Sequence, residues 1–570
     1  MLPGRERLAG IAIGAAVSFA LVHAALQAWL SDDAFVSFRY ARNLVEGHGL
    51  VFNPGERVEG YTNPLWTLWI ALGMRLGASP ERWSIVSGIA CYGGAIALLG
   101  RAHVRACRAI GVPDWMYALP IGALAGAADP DWATFATSGL ETSAFTFFSL
   151  AAALLALAPS PRRAAFSGGL FALAALTRPD GALFTAVAFA FLLAGRAFRP
   201  ALVLAAVFAL VWAPFTAWRI AYYGSFFPNT YYAKSGDLAW WSQGLFYVRL
   251  YFERHWIFLL GPIGLLALGR RVRPLATAAL FVVTLAFAYT AYIARVGGDF
   301  MFGRMLVPTA PLFLLLVDFA ATLALLPLRL VAPAIALACF AGPLLTPLPL
   351  RGGDANRGIL DEHAHYTQER MDRTRARARV IAPFFEGLPA VVAIYGDEAA
   401  LAYYARIPVA IEAHAGLTDA FVARQPLARR GRVGHEKHAP LDYLVRVRGA
   451  QLTFSKVPTL DQGLDDYVPP MHADLGGVRA RLLTWDPAFV EAIRARGAHV
   501  DDFPAWLDGL IQRLPELSDA QVRDELTRCR RFYFDRVRDP RREAAFAERL
   551  SQGPRGGDWT GQGGGAKSGR

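Results

Sequence analysis

From Leu8 to Leu348 the chain alternates long apolar runs with short polar breaks. The runs are about 15–22 residues long, the length a helix needs to cross a hydrocarbon core of about 30 Å. Spans are predicted near 8–30, 83–100, 115–129, 141–158, 165–177, 181–195, 201–221, 256–269, 275–293, 306–326 and 330–348, eleven in all. Loop 31–82 is too long to be a simple connector. It opens on Asp32-Asp33 and an amphipathic helix with Phe35, Phe38, Leu44 and Val45 on its apolar side. A turn follows at Asn53-Pro54-Gly55, and an apolar stretch from Leu65 to Leu76 suits the membrane surface.

After Arg351 the pattern changes. Charged helical sequence covers 361–382, and Val391–Asp397 reads as a buried strand running into a turn. An Ala-rich helix and a second strand, Ile407–Ile411, come next. The fold class expected is therefore an α-helical polytopic membrane domain over 1–350 and an α/β domain over 351–550, helical from 486. The Gly-rich tail 551–570 is expected to be disordered. No internal repeat stands out.

Composition sharpens this picture. Of 570 residues 54% are hydrophobic and 18% charged, where a soluble domain carries about a quarter charged. That argues against an ordinary soluble enzyme and equally against disorder. Four cysteines exclude a disulfide-built scaffold, and no CxxC or His/Cys cluster suggests zinc. The net charge of +12 raises the question of nucleic acid. The first 350 residues hold 25 Lys/Arg against 16 Asp/Glu, the last 220 only 33 against 30. The excess sits in short loops between apolar runs, so it is membrane-topology charge and no nucleic-acid partner is expected.

Alternate loops are short and basic: Arg101/Arg105/Arg108, Arg162/Arg163, Arg196/Arg199, Arg270/Arg271/Arg273 and Arg329. They share a side with the N-terminus, and cytoplasmic loops carry the Lys/Arg excess. The first span follows Arg5 and Arg7 and has no small-residue cleavage site just after it, so it is expected to be a retained anchor. An odd number of spans then places the C-terminal 220 residues outside.

The outward loops hold the candidate chemistry. Asp32-Asp33 can cap the loop helix or present a carboxylate that takes a proton or stabilises positive charge, and the two roles are compatible. Arg39 and Arg42 follow on the same helix, and Arg178, Asp180, Lys234, Asp299 and Arg304 stand at outer span ends. Such cations can snorkel to lipid headgroups or converge on a phosphate, which Arg binds bidentately. The run Tyr222–Lys234 is dense in aromatics and suits either an interfacial belt or a sugar or prenyl contact. His435-Glu436-Lys437-His438 is not the HExxH zinc pattern, and no metal ligands are expected.

The stretch from Asp32-Asp33-Ala34-Phe35-Val36-Ser37-Phe38-Arg39-Tyr40 through Asn53-Pro54-Gly55-Glu56-Arg57-Val58-Glu59-Gly60-Tyr61-Thr62-Asn63-Pro64-Leu65-Trp66 closely resembles the terminal β-(1→2)-arabinofuranosyltransferases of actinobacterial cell-wall synthesis. Further blocks in the same order are Thr137–Thr142, Arg178–Gly181, Asn229–Lys234, Gly297–Phe300 and Gly431–Lys437. The resemblance runs from about residue 30 to 450 and implies a GT-C integral-membrane glycosyltransferase of the bacterial inner membrane. It implies a polyprenyl-phosphate sugar donor, a glycan acceptor, no further cofactor, and catalysis at the first outer loop. Asp32 or Asp33 would be the catalytic carboxylate, a base in an inverting enzyme and a nucleophile or charge stabiliser in a retaining one. Arg39, Arg178, Lys234 and Arg304 would bind donor phosphate. Arg42, Glu59, Tyr61, Asn63, Asp180, Asn229, Tyr232, Asp299, His435 and Glu436 would contact substrate, with the outer domain guiding the acceptor. The alternatives are a transporter or flippase for a lipid-linked sugar and a non-enzymatic assembly factor, since some relatives are flagellar-motor control proteins.

Overall fold

The computed structural model describes residues 4–351, 353–396, 398–454 and 458–552. Helix α1 (Gly4–Leu26) rises about 35 Å at 1.5 Å per residue, enough to cross a bilayer. The loop after it carries α2 (Asp32–Val45) and α3 (Pro64–Arg75) and leads to α4 (Pro80–Ile110). Among the described residues five helical stretches are long and apolar enough to span: Gly4–Leu26, Pro80–Ile110, Phe198–Tyr223, Ile257–Val296 and Val307–Ala324. Shorter apolar helices fall at Thr142–Ala156, Gly181–Ala194 and Ala332–Leu345. The protein is a multi-pass membrane protein.

The span expected at 115–129 is not a continuous helix. A short 3-10 turn at Asp114–Ala118 ends before Pro120, α5 is Ile121–Ala127, and Asp129 caps α6 (Pro130–Phe135). Seven residues rise about 10 Å, a third of a bilayer core. Pro113, Pro120 and Pro130 are the cause, because each lacks the N–H that would continue the helix. The short pair predicted between 165 and 195 does form, as the helices Pro161–Thr177 and Gly181–Ala194.

The remaining helices follow in chain order: α7 (Thr142–Ala156), α8 (Pro161–Thr177), α9 (Gly181–Ala194), α10 (Phe198–Tyr223), α11 (Asn229–Ala233), α12 (Trp241–Arg254), α13 (Ile257–Leu268), α14 (Ala276–Val296), α15 (Ala310–Ala324) and α16 (Ala332–Leu345). Helix α15 is buried nearly all round, from Leu312 to Phe319, and is the hub of the bundle. Two glycines let helices meet backbone to backbone. A Cβ on Gly168 would overlap the Leu204 carbonyl of α10, and one on Gly244 the Ala294 carbonyl of α14. On α2 the expected apolar side holds for Phe35 and Phe38, which are fully buried, whereas Val45 at the helix end is exposed.

The chain forms two compact units, and their border departs from the expected one at 350. The first is Met1–Ala376 with Gly396–Tyr404 and Glu412–His438. It includes α17 (Glu362–His365), part of α18 (Gln368–Phe385), α19 (Ala399–Tyr404) and α20 (Ala420–Ala423). The second is Arg377–Tyr395, Ala405–Ile411 and Ala439–Arg570. It is built on a mixed sheet ordered β2-β1-β3-β5-β4-β6, with strands Val391–Ile394 (β1), Val409–Glu412 (β2), Leu452–Thr453 (β3), His472–Asp474 (β4), Arg479–Leu482 (β5) and His499–Val500 (β6). β1 pairs with β3 in parallel, Val392 opposite Leu452, and the pairs β3–β5, β5–β4 and β4–β6 are antiparallel. Helices at Pro487–Ala495, Phe503–Arg513, Asp519–Cys529 and Pro540–Ser551 complete it. The expected disordered tail lies, beyond Gln552, outside the described residues.

Candidate active site

Adjacent residues on a helix point about 100° apart, so the two aspartates of α2 cannot do the same work. Asp32 is buried, 4% exposed. Its Oδ1 accepts from the Ala400 amide at 2.8 Å and its Oδ2 from the Ala399 amide at 3.0 Å. These are orphan donors at the start of α19. Arg39, seven residues on and therefore on the same face, donates to the Ala402 carbonyl at 3.2 Å, and Arg42 to the Tyr403 carbonyl at 2.7 Å. One face of α2 thus sets a carboxyl group at the N-terminal end of α19 and two cations at its C-terminal end, the cations matching the helix dipole. Burial pushes the Asp32 carboxyl up to about 7 against the opposing pull of the two amides.

Asp33 faces a different surface. It lines a pocket of about 60 Å³ together with Ser37, Tyr61, Asn63, Glu141, Lys234 and Arg304. Its Oδ2 is 3.5 Å from Arg304 Nη1, and its side chain keeps 35% exposure. Arg304 also approaches Asp299 at 3.5 Å and Glu141 at 3.8 Å. The segment bearing Asp299 and Arg304 leaves α14 through Gly297 and Gly298, both at positive φ. A Cβ on Gly298 would strike the Tyr247 ring, and the Tyr247 hydroxyl donates to the Met301 carbonyl while accepting from the Met305 amide. That packing fixes where Arg304 starts.

Glu141, at the N-terminal end of α7, closes the pocket floor. Asn63 donates to its Oε2 at 2.8 Å, and Arg178 Nη1 lies 3.9 Å from its Oε1. Asn63 is itself held by Ser37. Arg178 is buried and bound to Asp180 at 3.0 Å, and Asp180 also accepts from the Tyr289 hydroxyl. Arg178 therefore supports the floor and does not line the pocket. Lys234, the C-cap of α11, enters from the other side and has no ion-pair partner among the described residues. The Nη1 of Arg178, the Nε of Arg304 and the Oδ2 of Asp299 are buried without a hydrogen-bond partner. The site thus sets Lys234 and a carboxylate-flanked Arg304 beside a carboxylate open to solvent.

The expected residues divide accordingly. Asp33, Tyr61, Asn63, Lys234 and Arg304 meet at the pocket, with Asp299, Arg178 and Asp180 behind it. Asp32 is a helix cap, and the expectation of phosphate contact for Arg39 is corrected. Arg39 is 1% exposed and spends its donors on the Phe52 and Ala402 carbonyls and the Asn53 side chain. Arg42 stacks on Tyr403. Glu59 pairs with Arg219 at 3.0 Å, and burial pushes its carboxyl up to about 7. Asn229 donates to the carbonyls of Gly416 and Leu417, Tyr232 stacks under Arg424, and Glu436 binds Arg430. None of these lines the pocket. His435 packs edge-on against Phe300 beside the Asp299 segment and borders the site, with burial and Arg432 pushing its imidazole down to about 4.

Glu141 was not among the expected site residues. Its signal was a charged residue at the mouth of an apolar span inside the Thr137–Thr142 block. One group among the described residues has a metal-binding donor set, Asp129, Asp131 and His255. His255 faces Asp131 at 2.8 Å and Asp129 at 3.4 Å through its two different ring nitrogens, and Arg254 stands 3.0 Å from Asp131. Two carboxylates, an imidazole and a guanidinium thus lie within ion-pair distance of one another.

A polytopic helical bundle with a carboxylate pocket just after its first span is the GT-C architecture, and the protein has that fold. It is shared with ArnT from Cupriavidus metallidurans, whose crystal structure bound to undecaprenyl phosphate aligns with a TM-score of 0.51 at 14% identity, covering 83% of this chain and 97% of that one. The apo form of the same protein gives 0.50. In sequence the chain is similar to the terminal β-(1→2)-arabinofuranosyltransferase of Mycobacterium tuberculosis, 32% identical over 338 residues, 52% of this chain and 53% of the relative. It is also similar to the protein of that name from Corynebacterium glutamicum, 30% identical over 349 residues, 50% of this chain and 47% of the relative. The chain spans about half the length of these curated relatives. No family model matches it.

Proposed function

We propose that the protein is a membrane glycosyltransferase that moves a sugar from a polyprenyl-phosphate donor to a glycan acceptor on the non-cytoplasmic face. One observation carries the reading: a solvent-open carboxylate, Asp33, shares a pocket with Lys234 and Arg304. The acceptor hydroxyl attacks the anomeric carbon, the bond from that carbon to the phosphate oxygen breaks, and the lipid phosphate leaves. Asp33 takes the hydroxyl proton. Lys234 and Arg304 meet the charge that grows on the leaving phosphate. Glu141, clamped by Asn63 and the two arginines, holds Arg304 in place.

The likeness to the mycobacterial and corynebacterial proteins supports arabinofuranose or a similar sugar as the group transferred. The ArnT complex supports a polyprenyl lipid as its carrier. The short Arg-rich loops support a cytoplasmic N-terminus, and none of their arginines lines the pocket. A transporter would gather its polar groups near the bilayer midplane, whereas this pocket is built from residues at helix ends and in loops. The test is incubation of purified protein with synthetic prenyl-phosphoryl sugars and a glycan acceptor, read by mass spectrometry. Failure to form a glycosylated product with any donor of the panel overturns the reading.

A further inference from the structure

A second cavity, of about 160 Å³, opens in the same unit of the chain, and the proposed reaction leaves it unused. Its polar wall comes from four separate places: Gln27 just after α1, Asp131 and Thr134 on α6, Arg254 at the end of α12, and Glu362 and His363 at the start of α17. Phe135 and Phe302, both almost fully buried, add an apolar side. A dry 150 Å³ cavity is large enough to take benzene, so this one has room for a single sugar ring.

The chemistry of the wall selects among ligands. Asp131, Asp361 and Glu362 bring three carboxylates to the wall, of which Asp131 faces Arg254 and His255 and Glu362 is held by Arg432. Its one guanidinium is already paired with Asp131, which leaves no arginine in this wall for a donor phosphate. A polyol suits it, because each hydroxyl both donates and accepts, and the wall offers carboxylate acceptors beside amide and guanidinium donors. Arg254 is 9% exposed, and its Nε lacks an aligned hydrogen bond although Asp131 Oδ2 is 3.0 Å away. Glu362 links the cavity to the reacting pocket. It is held by Arg432 at 3.0 Å, and its carboxyl feels the charge of Asp33.

We propose that this cavity is a subsite for a neutral sugar ring of the acceptor glycan. Calling the ligand an acceptor rests on the transferase reading above; the preference for a neutral sugar does not.

The test is saturation-transfer NMR on the detergent-solubilised full chain with methyl furanosides and methyl pyranosides of neutral sugars. Undecaprenyl phosphate binding is measured in parallel. Thr134→Trp should fill the cavity and remove the glycoside signal. Gln27→Leu removes one polar partner, so glycoside binding should weaken about two- to tenfold, the worth of one hydrogen bond. Both variants should bind undecaprenyl phosphate as the wild type does. If Thr134→Trp loses that as well it is misfolded, and Gln27→Leu decides alone. The subsite is overturned if no neutral glycoside binds, or if binding is indifferent to the variants. Glycoside binding without any polyprenyl-phosphate binding would sink the transferase reading and leave the subsite standing.

Discussion

Replacing each aspartate of the Asp32-Asp33 pair with asparagine should separate chemistry from architecture. Asp33→Asn keeps the size of the side chain and removes its capacity to take a proton. A positioned acid or base contributes about 10²–10⁴-fold to rate, so turnover should fall by that factor with the unfolding temperature almost unchanged. Asp32→Asn keeps one good acceptor for the amides of Ala399 and Ala400 and should reduce turnover by less than about tenfold. Asp32→Ala leaves both amides buried and unpaired, at about 1–3 kcal/mol each. It should lower the unfolding temperature clearly while the folded fraction still turns over. The assay pairs mass-spectrometric sugar transfer with tryptophan-fluorescence melting in detergent. If Asp32→Asn abolished turnover in a normally melting protein while Asp33→Asn remained active, the assignment would be reversed and the pocket misread.

Three further outcomes are expected. Lys234→Ala and Arg304→Ala should each weaken donor use about tenfold or more, since charge-assisted contacts are worth roughly 1.5–3 kcal/mol, whereas Arg39→Ala should lower stability and leave the KM for donor unchanged; steady-state kinetics over donor concentration distinguish them. The Asp32 carboxyl, raised to about 7 from the ordinary 3.8, favours folding most when protonated, so its contribution is complete below about pH 3.8 and is lost as the pH rises through 7. Melting curves between pH 5 and 8 should therefore show the wild type losing ground to Asp32→Asn as the pH rises, and parallel curves would refute the shift. A phosphatase reporter fused after Arg351 should be active only on the non-cytoplasmic side; cytoplasmic activity would invert the topology and move the pocket with it.

Much of the helical bundle could be read from run length, because a bilayer demands about twenty apolar residues whatever they pack against. The segment 115–129 failed that logic although its prolines were in plain view; hydropathy counts side chains and misses a lost N–H. The site was harder. Sequence named the Asp32-Asp33 pair but could not say which member faced the pocket, because the partner that claims Asp32 lies 367 residues away. Helical period did hold a usable clue. Arg39 stands seven residues from Asp32, on its face and not on that of Asp33, so one phosphate pocket could not easily take Asp33 and Arg39 together. Glu141 went unnamed because a lone acid at the mouth of a span looks the same whether it caps a helix or floors a pocket. The domain border shifted for a similar reason: segments 396–404 and 412–438 return to the first unit through contacts that local composition does not record.

The grip of Asp32, Arg39 and Arg42 on α19 has a consequence for how the protein is made. A ribosome delivers α2 about 350 residues before the short helix that locks it. Until then Asp32 lacks the two amides that hold it, Arg39 and Arg42 lack the carbonyls of Ala402 and Tyr403, and the helix that bears Asp33 is held by its own loop. The bundle can insert and pack while the reacting carboxylate is still unset. A chain stopped anywhere between α16 and α19 would be a well-inserted membrane protein with an unassembled centre, so activity should switch on late in synthesis and all at once.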